Sequence, residues 1–230
     1  MKAEDLKQKQ EELFEQIKRH ADLLGLSGRN WHPIQDGVYN VEEYLKAPIR
    51  IMWVMKEAYD GEDEKGNPCG GEWSIFDIID EGKPFPKSWS NIIYTTYGIF
   101  KGWNKIDMYS IAEDPSMKKV MEQIAYVNLN KMPAHKTSSD ESLEKCYSQW
   151  RSILNAQIEL YKPEAIIFGN TFKYFKDDLI GTDEIQPLLD NVGRNTQLYI
   201  KNGVKLVDAY HPAAIGVSNY VDSIISFFIE

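Results

Sequence analysis

Four short apolar runs, separated by stretches with helical periodicity, constrain the fold of this chain more than any other feature. The runs cover residues 49–55, 124–129, 165–168 and 204–209. Runs that are apolar on both faces are typical of parallel strands, which helices cover on both sides of the sheet. We therefore predict an α/β fold: a three-layer α/β/α sandwich with a central, mainly parallel sheet of four strands.

The stretches between the runs predict helices. An N-terminal helix covers residues 4–24, because Leu6, Leu13, Ile17 and Leu24 recur on one face at helical spacing. Further helices are predicted over residues 41–45, 73–79, 89–100, 140–161 (with Ser139 or Asp140 as N-cap), 172–179 and 221–228. No change in composition marks a linker, so we expect a single domain over residues 1–230.

Composition argues against several classes of function. The net charge is −9 and the isoelectric point is about 5.1. This balance counts against nucleic-acid binding through phosphate contacts alone, since such binding needs a basic surface. Cys69 and Cys146 cannot form a four-cysteine iron–sulfur or zinc site, and the four histidines are scattered along the chain. We therefore expect no cofactor and no metal.

The sequence also indicates where the protein is located. It contains neither a secretory signal nor an apolar stretch of the length that a membrane span requires. Two reduced thiols are typical of the cytosol, where disulfides are rare. We therefore expect a monomeric cytoplasmic protein with no membrane partner.

A polar cluster follows each of the four apolar runs. The clusters are Lys56-Glu57-Ala58-Tyr59-Asp60-Gly61, Asn128-Leu129-Asn130-Lys131, Gly169-Asn170 and His211-Pro212. In an open α/β sheet, ligands bind in the crevice beyond the carboxyl ends of the strands. If the four runs lie parallel in one sheet, the Glu57 carboxylate, the Asn128 amide and the His211 imidazole meet in one cleft.

Residues 124–214 carry three motifs in an order that resembles the uracil-DNA glycosylase superfamily. Residues 125–133 look like that family's strand ending in Asn-x-x-Lys-x-x-Pro, with one residue fewer before the proline. Residues 162–169 are similar to its Lys-Pro-x-x-Ile-x-x-x-Gly, and residues 211–215 to its His-Pro-Ser-x-Leu. A further motif of the family, which follows the first strand, differs here. Residues 56–61 keep the acidic position of Gly-Glu-x-Pro-Gly but have lysine in place of its first glycine and tyrosine in place of its proline.

The resemblance implies hydrolysis of the N-glycosidic bond that joins uracil, or another deaminated or damaged base, to DNA. In this reaction positive charge develops on the sugar and negative charge on the departing base. The resemblance implies that a carboxylate stabilises the sugar cation and orients the attacking water. Glu57 is the first candidate for this role and Asp60 the second. It also implies that His211 stabilises the oxyanion that develops on the departing base. DNA or another nucleobase-containing ligand is the expected partner.

The resemblance also implies contacts to the base. Asn128 reads the base edge, because an amide offers a donor and an acceptor side by side. Asn130 is the second candidate for this role. The base leaves the DNA helix and stacks on an aromatic ring, for which Phe76, Tyr59 and Trp73 are the candidates.

Two residues are assigned to the DNA itself. Lys131 contacts a phosphate, and Ile215 is the apolar wedge that fills the space which the base vacates. Simpler interpretations stay open for most of the site: Lys131 as a solvated lysine and Glu57 as part of a solvated acidic loop. Asn128 could cap a strand end and His211 could be a structural histidine.

Two other functions compete with base excision. The chain could be a catalytically altered member of the superfamily that binds a nucleobase, nucleoside or nucleic acid without cleavage, which the altered first motif and the acidic charge favour. It could also be an unrelated flavodoxin-like protein that binds a nucleotide or acts as a hydrolase. Against the latter, the sequence has no Gly-x-Gly-x-x-Gly, Walker or Gly-x-Ser-x-Gly motif.

Overall fold

Helices and strands are interspersed along the chain, in places with several of one kind in succession. The structure, a computed structural model, describes residues 2–26, 30–80, 85–135, 137–181, 187, 189–191, 196–213 and 217–229. Its elements are α1 (Ala3–Leu23), β1 (Gly37–Val38), α2 (Val41–Lys46), β2 (Ile51–Met55), β3 (Gly61–Glu62), β4 (Pro68–Cys69), α3 (Asp77–Asp80), α4 (Lys87–Lys101), the 3-10 helices Lys105–Asp107 and Pro115–Gln123, β5 (Ile124–Asn128), α5 (Asp140–Tyr161), β6 (Ala165–Gly169), α6 (Phe172–Ile180), β7 (Leu189–Asn191), β8 (Thr196–Lys201), β9 (Val204–Ala209) and α7 (Val217–Ile225).

The main sheet confirms the α/β class but not the expected number of strands. Among the described residues it has seven strands in the order β1-β5-β2-β6-β9-β8-β7, six of them longer than two residues. The prediction of four strands is therefore wrong. β6 is parallel to β2 and β9, whereas β8 is antiparallel to both β9 and β7. The four predicted runs are β2, β5, β6 and β9.

The antiparallel strand β8 has a local cause in the sequence. Lys201 pairs with Val204, so only Asn202 and Gly203 separate β8 from β9. Both connecting residues have positive φ, 52° and 79°, which is the conformation of the two-residue hairpin that Asn-Gly favours. The chain therefore reverses at this turn and adds a strand that the four apolar runs do not predict.

The helices lie close to where their periodicity placed them. The predicted helix over residues 4–24 is α1, which buries Leu6, Leu13 and Ile17. Ser139 is the N-cap of α5, since its side chain accepts the Ser142 N–H. The helix predicted over residues 73–79 is shorter, beginning at Asp77. It begins late because the backbone of residues 73–75 is hydrogen-bonded to Gln35.

The chain divides into two compact units, each built from three separate stretches. Unit 1 consists of residues 1–37, 55–83 and 126–162, and unit 2 of residues 38–54, 84–125 and 163–230. In unit 1, α1 packs on α5; in unit 2, α4 packs on α7. The expectation of a single domain over residues 1–230 stays a prediction. Within the described residues, no helix has the length and apolarity needed to cross a bilayer.

Candidate functional site

Backbone hydrogen bonds in unit 1 hold the segments that follow β2 and β5 side by side. Leu129 donates its N–H to the Met55 carbonyl over 2.8 Å, and Asn130 donates to the Lys56 carbonyl over 2.9 Å. The pairing continues as far as Ala134, whose N–H donates to the Ala58 carbonyl over 3.0 Å. The polar clusters that the sequence places after these two strands are therefore neighbours, as the rule for the carboxyl ends of strands predicts.

Glu57 lies in the first of these segments and is largely buried. Among the described residues, no group forms a hydrogen bond with its buried Oε2 atom. Burial raises the pKa of Glu57 to about 7, and the nearby Lys56 charge opposes the shift. Close to half of the Glu57 carboxyls are therefore protonated at neutral pH, so this group can gain or release a proton under physiological conditions.

A thiol lies close to this carboxyl. Burial is the main cause that raises the pKa of Cys146 to about 11, and the Glu57 charge adds to it. Cys146 is on α5 and only partly exposed. A thiol with a raised pKa is a poor nucleophile because the thiolate is the reactive form. Cys146 is therefore not a reactive group beside Glu57.

Asn128 ends β5 and is 2% exposed. Its backbone N–H donates to Asp36 Oδ2 over 2.6 Å, and its carbonyl accepts from Lys131 Nζ over 2.7 Å. No hydrogen bond joins its carboxamide to another described residue. The backbone of Asn128 is thus held on both sides, while the polar end of its side chain has donor and acceptor capacity left for a ligand.

Lys131 is not where the resemblance placed it. Its ammonium is fully buried and donates to Asp36 Oδ2 over 2.8 Å, to the Asn128 carbonyl and to Gln157 Oε1, the last two over 2.7 Å each. Burial lowers the pKa of Lys131, and the Asp36 carboxylate opposes this. Both the expected phosphate contact and the alternative of a solvated lysine are wrong, because all three donors are used inside the protein.

Asn130, the second candidate for reading a base, also has a structural role. Its Oδ1 accepts the Met132 N–H over 3.1 Å and the Trp150 Nε1–H over 3.2 Å. The acceptor that would face a base edge is therefore occupied within the protein. Asn128 is the better candidate of the two.

Asp60, the second candidate for the catalytic carboxylate, fastens its own loop. Its Oδ2 accepts the Gly71 N–H over 2.7 Å and the Trp73 Nε1–H over 2.9 Å. Gly70 has a φ of 96°, and a Cβ at this position would overlap the Asp60 carboxylate. The loop that residues 60–71 form thus closes on Asp60 and includes the short β3–β4 ladder. These contacts explain Asp60 without a catalytic role.

The three aromatic candidates differ in exposure, and their stacking role stays a prediction. Phe76 is 6% exposed and Tyr59 is 42% exposed. Trp73 lines a cavity of about 670 Å³ in unit 1, together with Phe14 and His32 among others. The lining of this cavity includes neither Glu57 nor Asn128.

His211 follows β9 in unit 2. Its Nδ1 accepts the Ala213 N–H over 3.2 Å, so the proton of the neutral ring is on Nε2. Three residues earlier, burial raises the pKa of Asp208 to about 6, and the charges of Lys176 and Lys173 oppose the shift. That His211 shares a cleft with Glu57 and Asn128 stays a prediction. Ile215, the predicted wedge, lies outside the described residues.

Sequence reasoning missed Asp36 and Gln157, which complete the surroundings of Lys131. Asp36 Oδ1 accepts the Gln157 Nε2–H over 2.8 Å. Neither residue belongs to a recognisable motif, and their polar character alone predicts exposure. The described residues contain no group of three or more His, Cys, Asp or Glu side chains that could hold a metal ion. No family model matches the chain, and no curated protein sequence matches it.

Proposed function

We propose that this protein binds a nucleobase beside the ends of β2 and β5 and hydrolyses its N-glycosidic bond. The observation that carries the proposal is the largely buried Glu57 carboxyl, whose Oε2 no described residue hydrogen-bonds. The segment that contains Glu57 is hydrogen-bonded to the segment after Asn128. The resemblance supplies the substrate class, which is uracil or another deaminated or damaged base in DNA.

Each residue has a chemical role in this proposal. The Asn128 carboxamide reads the base edge, using a donor and an acceptor that no described residue occupies. Ionised Glu57 orients water and stabilises the cation on the sugar, and its pKa of about 7 suits acid–base work near neutral pH. His211 stabilises the oxyanion of the departing base through its Nε2–H. No phosphate contact is assigned to Lys131.

The wider expectations from the sequence belong to the same proposal. They are a three-layer α/β/α arrangement, a cytoplasmic monomer, DNA as the partner, and Ile215 as the wedge. The first rests on the apolar runs, the second on the composition, and the last two on the resemblance.

One observation favours a second function, binding of a nucleobase or nucleoside without cleavage. With a pKa of about 7, a substantial share of Glu57 is neutral below neutral pH. A neutral carboxyl has both a donor and an acceptor, so Glu57 could read a base edge instead of stabilising a cation. In that case Glu57 and Asn128 would recognise the ligand together.

The test is release of free base from single- and double-stranded oligonucleotides that contain uracil or hypoxanthine. We expect Glu57→Gln to lower kcat by roughly 10²-fold or more, and Asn128→Ala and His211→Ala to lower kcat/KM. Thr96→Val is the matched control, because it removes a buried hydrogen bond (Trp53 Nε1–H to Thr96 Oγ1, 3.2 Å) from a position that has no role in the proposal.

The outcomes separate the two functions. Base release that Glu57→Gln suppresses and Thr96→Val does not supports the hydrolase. Base binding by the wild-type protein without release from any substrate supports the second function and contradicts the first. If the wild-type protein neither binds a base nor releases one, both functions are contradicted.

A further inference from the structure

Asp36, Lys131 and Gln157 form a closed cluster of buried polar side chains, which we call the Asp36 cluster. The three residues are 3%, 1% and 1% exposed. Lys131 donates to both of the others, and Gln157 donates to Asp36, so each side chain contacts the other two. Since the residues come from three distant parts of the chain, this cluster joins the segment before β1, the segment after β5 and helix α5.

Donors and acceptors in the Asp36 cluster are matched. The Lys131 ammonium has three N–H donors and three oxygen acceptors at 2.7–2.8 Å. The Asp36 carboxylate accepts from Lys131, from Gln157 and from the Asn128 N–H. A buried network in which every member is satisfied is rigid, because any movement breaks a hydrogen bond that water cannot replace.

The Asp36 cluster holds the backbone of Asn128 on both sides. Asp36 Oδ2 accepts the Asn128 N–H over 2.6 Å, and Lys131 Nζ donates to the Asn128 carbonyl over 2.7 Å. The next residue, Leu129, is tied to the end of β2 by its N–H. With the backbone fixed in this way, the direction in which the Asn128 side chain leaves it is fixed as well. The carboxamide itself has no hydrogen bond to a described residue.

We propose that the Asp36 cluster is a positioning device that orients the Asn128 carboxamide for base recognition. This inference rests on the proposed function of Asn128. The three residues do not touch the base; they act through Asn128. A binding group that is held in place before the ligand arrives avoids the cost of ordering at the moment of binding, and misplacement by about 1 Å can cost roughly 10²-fold in rate.

Gln157→Met is the variant that tests the positioning role. Methionine is unbranched and adaptable like glutamine, so it fills similar space, and the Asp36–Lys131 ion pair is retained. The substitution removes the two hydrogen bonds with which Gln157 closes the cluster. We expect kcat/KM for base release to fall by about tenfold or more. Thr96→Val, the matched loss of a buried hydrogen bond, is expected to stay within about twofold of wild type.

A double-mutant cycle separates positioning from general stability. If Gln157 acts through Asn128, Gln157→Met has little further effect in a protein that already carries Asn128→Ala. Losses that multiply would overturn the positioning role while leaving the proposed function intact. Full activity in folded Gln157→Met would overturn it as well. A wild-type protein that neither binds nor releases any base overturns the proposed function, and the positioning role with it.

A measurement on the wild-type protein covers the case in which Gln157→Met does not fold. We expect hydrogen exchange at the Asn128 amide to be as slow as in the centre of β5, because its N–H is buried against Asp36. Exchange as fast as in the exposed loop around Gly66 would show that the Asp36 cluster opens readily, and would overturn the inference.

Discussion

Unit 1 buries two ionisable side chains that follow neighbouring strands, and the two differ in how they are hydrogen-bonded. Lys131 has three oxygen acceptors, at 2.7–2.8 Å from its ammonium. Glu57 has a buried Oε2 with no hydrogen-bond partner among the described residues. Both follow a strand of the same sheet, and both were candidates for contact with substrate. A polar cluster at a strand end can therefore contain a buried group with all its hydrogen bonds made beside one whose buried oxygen has no partner among the described residues.

The physical reason lies in the cost of burial. A buried charge that is fully paired holds elements together, whereas one that lacks partners destabilises the fold. Shifting the pKa of Glu57 from 4.5 to about 7 corresponds to a penalty of up to about 3 kcal/mol when the group is ionised. Groups with pKa values shifted in this way are concentrated at functional sites. This contrast between the two residues can be tested by substitution.

The largest effect is expected from Lys131→Met. It leaves the Asp36 carboxylate buried without its counter-ion, so we expect the free energy of unfolding to fall by about 3–5 kcal/mol. Chemical denaturation measures this loss. The control is Lys18→Met, which removes an exposed lysine paired with Glu15 at 2.8 Å and is expected to cost less than about 1 kcal/mol. Equal losses from both variants would refute the structural role of Lys131.

Glu57→Gln is expected to have the opposite effect. The folded-state pKa of about 7 lies above the unfolded value of 4.5, so between these values the folded state holds the extra proton. Stability in the wild type therefore falls as pH rises from about 4.5 to about 7. The substitution removes this penalty, and we expect the free energy of unfolding to rise by up to about 3 kcal/mol near pH 8 and to change little near pH 4.5.

Denaturation of both proteins across this pH range tests the sign. Glu113→Gln is the control, because hydrogen bonds from Ser110 lower the pKa of Glu113 instead of raising it. This control is expected to give no gain in stability at the higher pH. A destabilised Glu57→Gln near pH 8 would mean that Glu57 has a structural partner, and the contrast with Lys131 would disappear.

Much of the fold could be predicted because the relevant information is local. β2, β5 and β6 are buried at all their positions, so each appears in the sequence as an uninterrupted apolar run. β8 is harder, since it carries exposed residues at its end and its apolar pattern is diluted. Its signal was the Asn202-Gly203 pair between two strand-like segments, which indicates a hairpin.

The candidate site could be predicted in part. Glu57 follows β2 and Asn128 ends β5, so the rule for carboxyl ends placed their segments together. The burial of Lys131 could not be predicted, because its partners Asp36 and Gln157 lie 95 and 26 positions away along the chain. Nothing in the residues around Lys131 distinguishes a lysine that will meet a distant carboxylate from one that stays in water.

Asp60→Ala is expected to have the smallest effect of the three substitutions. Asp60 is exposed, and its carboxylate accepts two hydrogen bonds that fasten the loop to Gly71 and Trp73. Their loss should lower the free energy of unfolding by about 1–2 kcal/mol. It should also speed hydrogen exchange at the Gly71 amide, because that donor loses its acceptor.

The kcat of Asp60→Ala for base release shows which of the two carboxylates is catalytic. Asp60 and Glu57 are three residues apart and acidic, but only the Oε2 of Glu57 is buried without a hydrogen bond among the described residues. If unpaired burial marks the reactive group, Asp60→Ala stays within about threefold of wild type in kcat, while Glu57→Gln loses roughly 10²-fold. A loss in Asp60→Ala as large as in Glu57→Gln would transfer the catalytic role to Asp60, because a carboxylate that merely fastens a loop has no reason to control bond cleavage.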